Sequence, residues 1–421
     1  MVKSIVDKFS NNVTGGQYSL FRVLFGLYLF IHFAHLTPWA VELFSSEGML
    51  PKGSDSPLLF LFPNVLALID GPVFVLGFIL SAVVSSLCFM FGYKDRIAAL
   101  WLWYVFACLF GRNPLIANPS MPYAGWMLLA HVFVTTAPFG SWKAKGRLSP
   151  DGGWKLQGYI FTAAWIVLAV SYSYSGYTKL FSPSWVSGDN ISYVLNNPLA
   201  RDYFLRDFFL WLPPIFLQLL TWTVLYVELF FAPLVLFKKM RLPMWLAMFV
   251  IQFGFAFLLN FPDLTSAMIL FHIYTFNPDW LKAKKLTGEE VLYYDGNCGL
   301  CHRFVRFLLA EDRQGVFKFA PLQSESFTEA LPDETREGLP DSIVLVTEKG
   351  KYLVCSDAVV YLLTRLGGHW RALGTLLWLI PKPLRDFGYN FIGSIRYKVF
   401  GKTKDSCPLM PNDLKSRFLV N

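Results

Sequence analysis

The strongest constraint on this chain is the uneven distribution of its charged residues. The first 288 residues contain 33 Asp, Glu, Lys and Arg, about 11%, whereas the remaining 133 residues contain another 33, about 25%. A soluble domain normally has about 25% charged residues, so only the second part has an ordinary soluble composition. The sequence therefore predicts a membrane domain, residues 1–285, followed by a soluble domain, residues 289–421.

The membrane domain is predicted to be a bundle of about eight helices. A spanning helix needs about 20 mostly apolar residues, and eight segments approach this requirement, some of them short or interrupted by Pro. The predicted spans are 18–38, 71–92, 97–111, 122–139, 155–176, 213–237, 243–260 and 263–278.

Basic residues predict the orientation of these spans. The predicted loops on the amino-terminal side carry 14 Lys and Arg, and the opposite loops carry five. Because Lys and Arg are enriched in cytoplasmic loops, we expect a multi-pass protein of the cell (inner) membrane with both termini in the cytoplasm. The net charge of +8 is then a topology signal, and nucleic-acid binding is excluded.

One polar segment of the bundle carries candidate chemistry. Ser171–Ser175 is rich in Tyr and Ser, and Gly176 and Lys179 follow at the predicted external boundary. A buried Lys loses its proton readily and can then act as a base. The alternative is an interfacial Lys that extends to water. His32 and His35 share a helical face, but no metal site is predicted.

The segment from Ser175 to Leu180, followed by Trp185, resembles the Gly-x-x-Lys-Leu…Trp segment of vitamin K-dependent gamma-carboxylases. Residues 15–282 also resemble the wider HTTM (horizontally transferred transmembrane) family. The further marks of this resemblance are Leu20-Phe21-Arg22…Gly26, Glu47-Gly48-Met49-Leu50-Pro51, Arg112-Asn113…Asn118, Glu228 and Asp279-Trp280.

This resemblance implies quinone chemistry in the bundle. It implies that Lys179 is a catalytic base and that a vitamin K-like quinone or hydroquinone is the cofactor, for which Tyr174, Tyr177, Asn118 and Gln252 are the predicted binding residues. The chain departs from the carboxylases at Asn118-Pro119, where they have Asn-His, and at Gln252, where they have a His-rich span. It also lacks their large lumenal domain, so protein carboxylation itself is in doubt.

The soluble domain begins with a motif typical of redox chemistry. Residues 289–294 alternate as a strand, and Cys298-Gly299-Leu300-Cys301 leads into the apolar pattern of a helix. The first sulfur would lie at the helix N-terminus, where the dipole and free N–H groups stabilise a thiolate, and the second could resolve a mixed disulfide. Cys298 is thus predicted to be the more acidic, attacking thiol. A zinc site with His302 and Cys407, or a structural pair, is the alternative.

The following pattern predicts a strand at 342–346, a hairpin turn at 349–351, a strand at 352–355 and a helix at 358–366. Strand–helix–strand–hairpin–helix order is that of a thioredoxin-like α/β fold. Cys355 is expected to be a buried strand residue, and Cys407 is either a third thiol or a free Cys of the tail.

Residues 290–410 resemble the DCC family of thiol–disulfide oxidoreductases, named for Asp295, Cys298 and Cys301. This resemblance implies that Asp295 is a third catalytic residue, which either moves protons for the thiols or binds backbone N–H groups. The marks are Tyr294–Cys301, Phe319-Ala320-Pro321-Leu322-Gln323, Ser356-Asp357-Ala358, Pro383…Arg385-Asp386…Tyr389, Arg396-Tyr397…Phe400-Gly401 and Cys407-Pro408.

Three functions remain open from the sequence. The first is a membrane redox enzyme whose cytoplasmic thiols exchange electrons with a quinone held by the bundle. The second is a carboxylase- or epoxidase-type enzyme with Lys179 as base. The third is a non-enzymatic scaffold or a peptide-maturation partner. The expected partners are the lipid bilayer, a quinone-like small molecule and a peptide or protein thiol.

Overall fold

The computed structural model describes residues 11–283, 288–403 and 412–419. These residues form two compact units. The first unit contains Phe21–Val134 and Gln157–Phe276, and the second contains Asn11–Leu20, Thr135–Leu156 and the residues from Asn277 onward. The second unit includes two segments from earlier in the chain, so the two units are not the two parts that a single division of the chain after residue 285 would give. The boundary at 285–289 stays a prediction.

The first unit is helical. Its helices, with α1 starting in the second unit, are α1 (Gly15–Leu36), α2 (Ala40–Phe44), α3 (Pro72–Phe91), α4 (Asp95–Arg112), α5 (Met121–Phe133), α6 (Gly158–Lys179), α7 (Pro183–Ser187), α8 (Asn190–Leu195), α9 (Phe204–Trp211), α10 (Pro214–Leu229), α11 (Phe231–Val235), α12 (Arg241–Leu258) and α13 (Pro262–Thr275). Short 3-10 turns of this unit lie at Thr37–Trp39, Gly53–Asp55, Val65–Ala67, Pro114–Ile116 and Lys238–Met240, and those at Trp142–Ala144 and Pro278–Leu281 belong to the second unit.

The prediction of about eight spans is not supported. Within the described residues, three helical stretches are long and apolar enough to cross a membrane: Gly15–Phe44, Pro72–Phe91 and Lys238–Leu258. The pair α9 and α10 passes the same test together, but it is bent by 106°. Some of the other predicted spans correspond to short helices. Helix α5, with 13 residues, is about 20 Å long at 1.5 Å per residue, less than the ~30 Å of a bilayer core.

Helices α6 and α10 cross at very close range. A Cβ atom placed on Gly176 would lie 2.3 Å from the backbone N of Leu229. Only glycine permits this approach. Small residues have the same role in helix–helix contacts of membrane proteins, where they allow two backbones to lie close together. The close crossing brings the end of α6 next to Glu228, the residue before Leu229.

The second unit is built on a four-stranded mixed sheet. Its strands are β1 (Glu290–Tyr294), β2 (Phe317–Pro321), β3 (Val344–Val346) and β4 (Tyr352–Val354), and its helices are α14 (Gly299–Glu311), α15 (Glu325–Ala330), α16 (Asp333–Glu337), α17 (Cys355–Leu366), α18 (Gly368–Leu379), α19 (Lys382–Phe400) and α20 (Asn412–Lys415). The sheet order is β2-β1-β3-β4, with β1 parallel to β2 and antiparallel to β3.

The sheet has apolar side chains on both faces. One face packs against α14 and α17 through a cluster that includes Leu292, Leu308, Phe319 and Leu362. The other face carries a smaller cluster around Tyr293 and Phe327. The strand–helix–strand–hairpin–helix order expected from the sequence is present, with α15 and α16 added between β2 and β3. Cys355 begins α17 rather than lying in β4.

Within the second unit, a buried carboxylate binds the early segment Asn11–Leu20 to the end of α14. Glu311, at the end of α14, accepts hydrogen bonds from the Thr14 hydroxyl, from the Gly16 N–H at 2.9 Å and from the Trp370 indole N–H at 2.5 Å. Burial raises the pKa of the Glu311 carboxyl, although these donors and Arg313 oppose the rise.

Candidate functional site

The two cysteines lie where β1 is connected to α14. Cys298 has the extended backbone of a helix N-cap, and its sulfur accepts a hydrogen bond from the Cys301 N–H at 3.3 Å. The sulfur thus takes the position that a Ser or Asp oxygen occupies at an ordinary N-cap. The free N–H groups and the dipole of α14 favour negative charge there.

These contacts separate the acidities of the two thiols. The hydrogen bond from the Cys301 side chain, assisted by the backbone N–H groups of Cys301 and Leu300, lowers the pKa of Cys298 to about 6 against the opposing effect of burial. The same side-chain hydrogen bond and burial raise the pKa of Cys301. Near neutral pH these shifts place the thiolate on Cys298 and the remaining proton on Cys301.

Accessibility is distributed in the opposite way. Cys298 is 0% exposed, because the chain after α19 crosses over it: Lys402 forms a β-bridge with Cys298, and the Gly299 N–H donates to the Gly401 carbonyl at 3.1 Å. A Cβ atom on Gly299 would lie 2.3 Å from the Phe400 carbonyl oxygen, so this position of the motif requires glycine. Cys301 is half-buried and lines a cavity.

Asp295 is held in a network of hydrogen bonds. Its Oδ1 accepts from the Asn297 N–H at 2.9 Å and from the Gln323 side chain at 3.4 Å, and its Oδ2 accepts from the Tyr397 hydroxyl. Burial acts to raise the pKa of the Asp295 carboxyl, but the bond from Tyr397 and the other donors outweigh it and the pKa is lowered. An ionised carboxylate bound to a backbone N–H fits the loop-holding role better than proton transfer.

Helix α19 supplies the residues that sequence reasoning did not assign to the site. Arg396 forms an ion pair with Asp341 at 2.7 Å and lies 3.9 Å from Asp295. The Tyr389 hydroxyl accepts a hydrogen bond from the Ile343 N–H at 3.1 Å, and burial raises the pKa of Tyr389 to about 12. In the sequence, Tyr389 and Arg396 were indicated only as marks of the DCC resemblance. They lie about 100 residues after the cysteines, so local sequence does not show that their helix packs beside the motif.

Two further cysteines were considered from the sequence, Cys355 and Cys407. The Cys355 N–H donates to the Ser342 hydroxyl at 3.4 Å, and burial raises the pKa of Cys355. Cys407 lies outside the described residues, so its role as a third thiol stays a prediction.

In the first unit, Lys179 has a partner for its charge. Its Nζ donates to Glu228 and, at 2.9 Å, to the Ser175 hydroxyl, and it lies 4.8 Å from the centre of the Trp185 ring. Lys179 and Glu228 are both largely buried. An ion pair of this kind favours a structural role for Lys179 over that of a neutral base.

The structure does not bring the four predicted cofactor residues into one site among the described residues. Tyr174 and Tyr177 are exposed on α6. The Asn118 side chain accepts from the Ser120 N–H at 2.9 Å, within a turn before α5. Gln252 donates to the Tyr172 hydroxyl at 3.3 Å. Quinone binding by these residues stays a prediction.

Comparison with known proteins adds information on the second unit. Residues 292–402 match a family model described as DCC1-like thiol-disulfide oxidoreductase. The uncharacterized protein YuxK of Bacillus subtilis (strain 168) is 41% identical over 142 residues, which cover 32% of this chain and 99% of that protein. A chloroplastic DCC family protein of Arabidopsis thaliana is 31% identical over 135 residues, covering 31% of this chain and 78% of that protein. No solved structure matches the chain. The family match lies outside residues 15–282, so it gives no support to the HTTM resemblance of that part of the chain.

Proposed function

Because the chain belongs to the DCC1-like thiol–disulfide oxidoreductase family, we propose that Cys298 and Cys301 are the redox couple of a thiol–disulfide exchange enzyme. The observation that carries the proposal is the N-cap position of Cys298, whose sulfur accepts the Cys301 N–H. A helix N-terminus lowers the pKa of a cysteine, and the thiolate is the form that takes part in thiol–disulfide exchange.

The exchange conserves electrons and protons. The reduced pair gives two electrons and two protons to a disulfide R–S–S–R′, which is released as two thiols, and a bond forms between the sulfurs of Cys298 and Cys301. The reverse reaction oxidises two substrate thiols. Asp295 holds the turn before the cysteines through the Asn297 N–H.

The test is redox equilibration of the full-length protein in detergent. The protein is incubated with buffers of different ratios of reduced to oxidised glutathione, quenched with acid, and analysed by peptide mass spectrometry. We expect a Cys298–Cys301 disulfide whose fraction rises smoothly as the buffer becomes more oxidising. Cys355→Ser is the matched control and should leave the curve unchanged. If no disulfide between these residues forms at any ratio, the proposal is wrong.

We further propose that the helices of the first unit hold the protein in a membrane with the redox couple on the cytoplasmic side. The exposed apolar side chains of α3, such as Val73 and Val84, support lipid contact, and the distribution of Lys and Arg supports the orientation. An impermeant maleimide applied to intact cells should leave Cys301, the half-buried cysteine of the motif, unlabelled and should label it after lysis. Labelling of intact cells would reverse the topology.

The quinone-coupled enzyme remains a wider proposal with weaker support. It rests on the sequence resemblance of residues 15–282, and the Lys179–Glu228 ion pair favours a structural interpretation over the carboxylase- or epoxidase-type alternative. Mass spectrometry of small molecules that co-purify with the protein tests it directly. A bound quinone supports coupling. Its absence, together with full activity of Lys179→Ala, would leave the bundle as a scaffold.

A further inference from the structure

A cavity lies beside Cys301 within the second unit. Its volume is about 550 Å³, and its walls come from the beginning of α14, the segment before β3, and helices α17, α18 and α19. Pockets for small molecules commonly have volumes of about 300–1,000 Å³, so a medium-sized organic group or a few amino-acid side chains would fit.

The cavity has one reactive end and an apolar body. Cys301, Asp295 and Arg396 line it together with Phe304 and Leu377. Most of the remaining wall is aliphatic and includes Ile343, Val359, Val360, Leu384 and Ile392, and polar groups come from Asp341, Ser342, Ser356, Arg385 and Tyr389. An occupant that fits this arrangement is apolar over most of its length and carries its reactive atom at one end, near the Cys301 sulfur.

The apolar lining continues onto the surface of the same helices. Leu384 and Ile392 line the cavity and are nevertheless 65% and 50% exposed. Exposed apolar groups that are continuous with a cavity mark a binding site more often than scattered ones do. Leu384 and Ile392 are therefore taken as the entrance of the cavity, and both are apolar.

We propose that this cavity binds the apolar part of a thiol or disulfide substrate and presents the substrate sulfur to Cys301. The proposal rests on the thiol–disulfide exchange proposed above and specifies its substrate class. Cys301, rather than Cys298, is then the sulfur that forms the mixed disulfide with the substrate. The geometry behind this assignment is simple: Cys301 lines the cavity, whereas the chain at Phe400–Lys402 covers Cys298.

The step is balanced without a further reactant. A substrate thiolate R–S⁻ attacks the Cys301 sulfur of the Cys298–Cys301 disulfide, a bond forms between R–S and Cys301, and Cys298 leaves as a thiolate. Thiols of low pKa leave faster, and the N-cap contacts of Cys298 meet this requirement. A second substrate thiolate then attacks the substrate sulfur, so that R–S–S–R is released and Cys301 recovers its proton.

The experiment uses the oxidised full-length protein in detergent and a series of thiols. Ethanethiol, propanethiol and butanethiol are compared with 2-mercaptoethanol, and each rate is divided by the rate of the same thiol with free cystine to correct for nucleophilicity. Burial of one methylene group is worth about a fourfold change in binding, and butanethiol has two more methylene groups than ethanethiol, so we expect the corrected rate to rise about 15-fold from ethanethiol to butanethiol. Acid-quenched samples should carry the alkyl group on Cys301.

Variants on α19 provide a matched comparison. Leu384→Ser and Ile392→Ser change exposed residues of the entrance, whereas Phe387→Ser changes a residue of α19 that is 74% exposed and is not part of the lining. The entrance variants should lower the corrected rate with butanethiol towards the rate with ethanethiol, so that the dependence on chain length weakens. Phe387→Ser should behave as the original protein.

Two sources of an apolar thiol are distinguished in a further arm. Cysteine peptides flanked by Leu are compared with cysteine peptides flanked by Ser. A preference for the Leu peptides that exceeds the alkanethiol effect identifies apolar protein segments as the substrate, and a preference confined to alkanethiols identifies small molecules.

The outcomes separate the two proposals. Corrected rates that do not depend on the alkyl chain, or an alkyl group found on Cys298, would overturn the cavity assignment while exchange itself continues. A motif that forms no disulfide in the glutathione experiment would refute the exchange proposal instead.

Discussion

The acidity of Cys298 permits a quantitative prediction. A thiol with a pKa of about 6 is about 90% thiolate at pH 7, whereas a thiol at its ordinary value of 9.0 is about 1% thiolate. Ionisation therefore stabilises the reduced pair about tenfold at pH 7, or by about 1.4 kcal/mol. For a two-electron couple this raises the reduction potential by about 30 mV, so the disulfide is a better oxidant.

The perturbation that tests this reasoning is the removal of the Cys301 sulfhydryl, the largest cause of the lowered pKa of Cys298. Cys301→Ala removes the S–H donor and keeps the backbone N–H, whereas Cys301→Ser replaces the donor with a hydroxyl group. We expect the pKa of Cys298 to rise in both variants, and to rise further in Cys301→Ala. The ultraviolet absorbance of the thiolate measures each pKa, with Cys298→Ser as the blank for the other cysteines.

The pH dependence of the intact couple gives an independent measurement. Below the pKa of Cys298, reduction takes up two protons for two electrons, and the potential falls by about 59 mV per pH unit. Above this pKa only one proton is taken up, because Cys298 remains a thiolate, and the slope falls to about 30 mV per pH unit. The change of slope should lie near pH 6. A single steep slope up to pH 8 would show that the pKa of Cys298 is not lowered. Equal pKa values of Cys298 in the Ala and Ser variants would show that the Cys301 donor does not control the acidity of Cys298.

Three further predictions concern contacts within one unit or the other. Gly176→Ala should destabilise the first unit by about 1–3 kcal/mol through overpacking, whereas Gly254→Ala, where nothing lies within 4 Å of an added Cβ, should be tolerated; thermal unfolding in detergent compares them. Lys179→Met should cost about 3 kcal/mol because it leaves the buried Glu228 without its ion-pair partner, and adding Glu228→Gln should recover part of this loss in the same assay. Burial raises the pKa of Glu311, so the folded state binds this proton more tightly than the unfolded state and stability should fall as pH rises from 4.5 through the folded pKa; Glu311→Gln should reduce this pH dependence, and an unchanged profile would contradict the interpretation.

The local pattern of apolar residues was sufficient to predict the strand and the helix that flank the cysteine motif of the second unit. The alternating residues 289–294 predicted β1, observed at Glu290–Tyr294, and the apolar repeat after Cys301 predicted a helix, observed at Gly299–Glu311. Both signals depend on neighbours in sequence, because side chains alternate every two residues in a strand and every 3.6 residues in a helix. The N-cap position of Cys298 followed from the same local signals.

The spans of the first unit were predicted less well because hydropathy alone does not determine where a helix ends. Pro262 begins α13, and the helix ends at Thr275 after 14 residues. At 1.5 Å per residue such a helix is about 21 Å long, although the apolar composition of the segment suggested a full span. Local sequence could not establish the Lys179–Glu228 pair, because it joins residues on two helices whose contact depends on the Gly176 crossing.

The burial of Cys298 shows most clearly what a local motif leaves open. The spacing of Cys298 and Cys301 determines which sulfur meets the helix N-terminus, and therefore which thiol is acidic. It does not determine which sulfur a substrate can reach, because that depends on Phe400–Lys402, about 100 residues later, crossing over Gly299. The glycine at position 299 is a consequence of this crossing, since any side chain there would collide with the Phe400 carbonyl. Acidity and access are thus separate properties, and in this chain they belong to different cysteines: Cys298 is suited to leave as a thiolate, and Cys301 to meet the substrate.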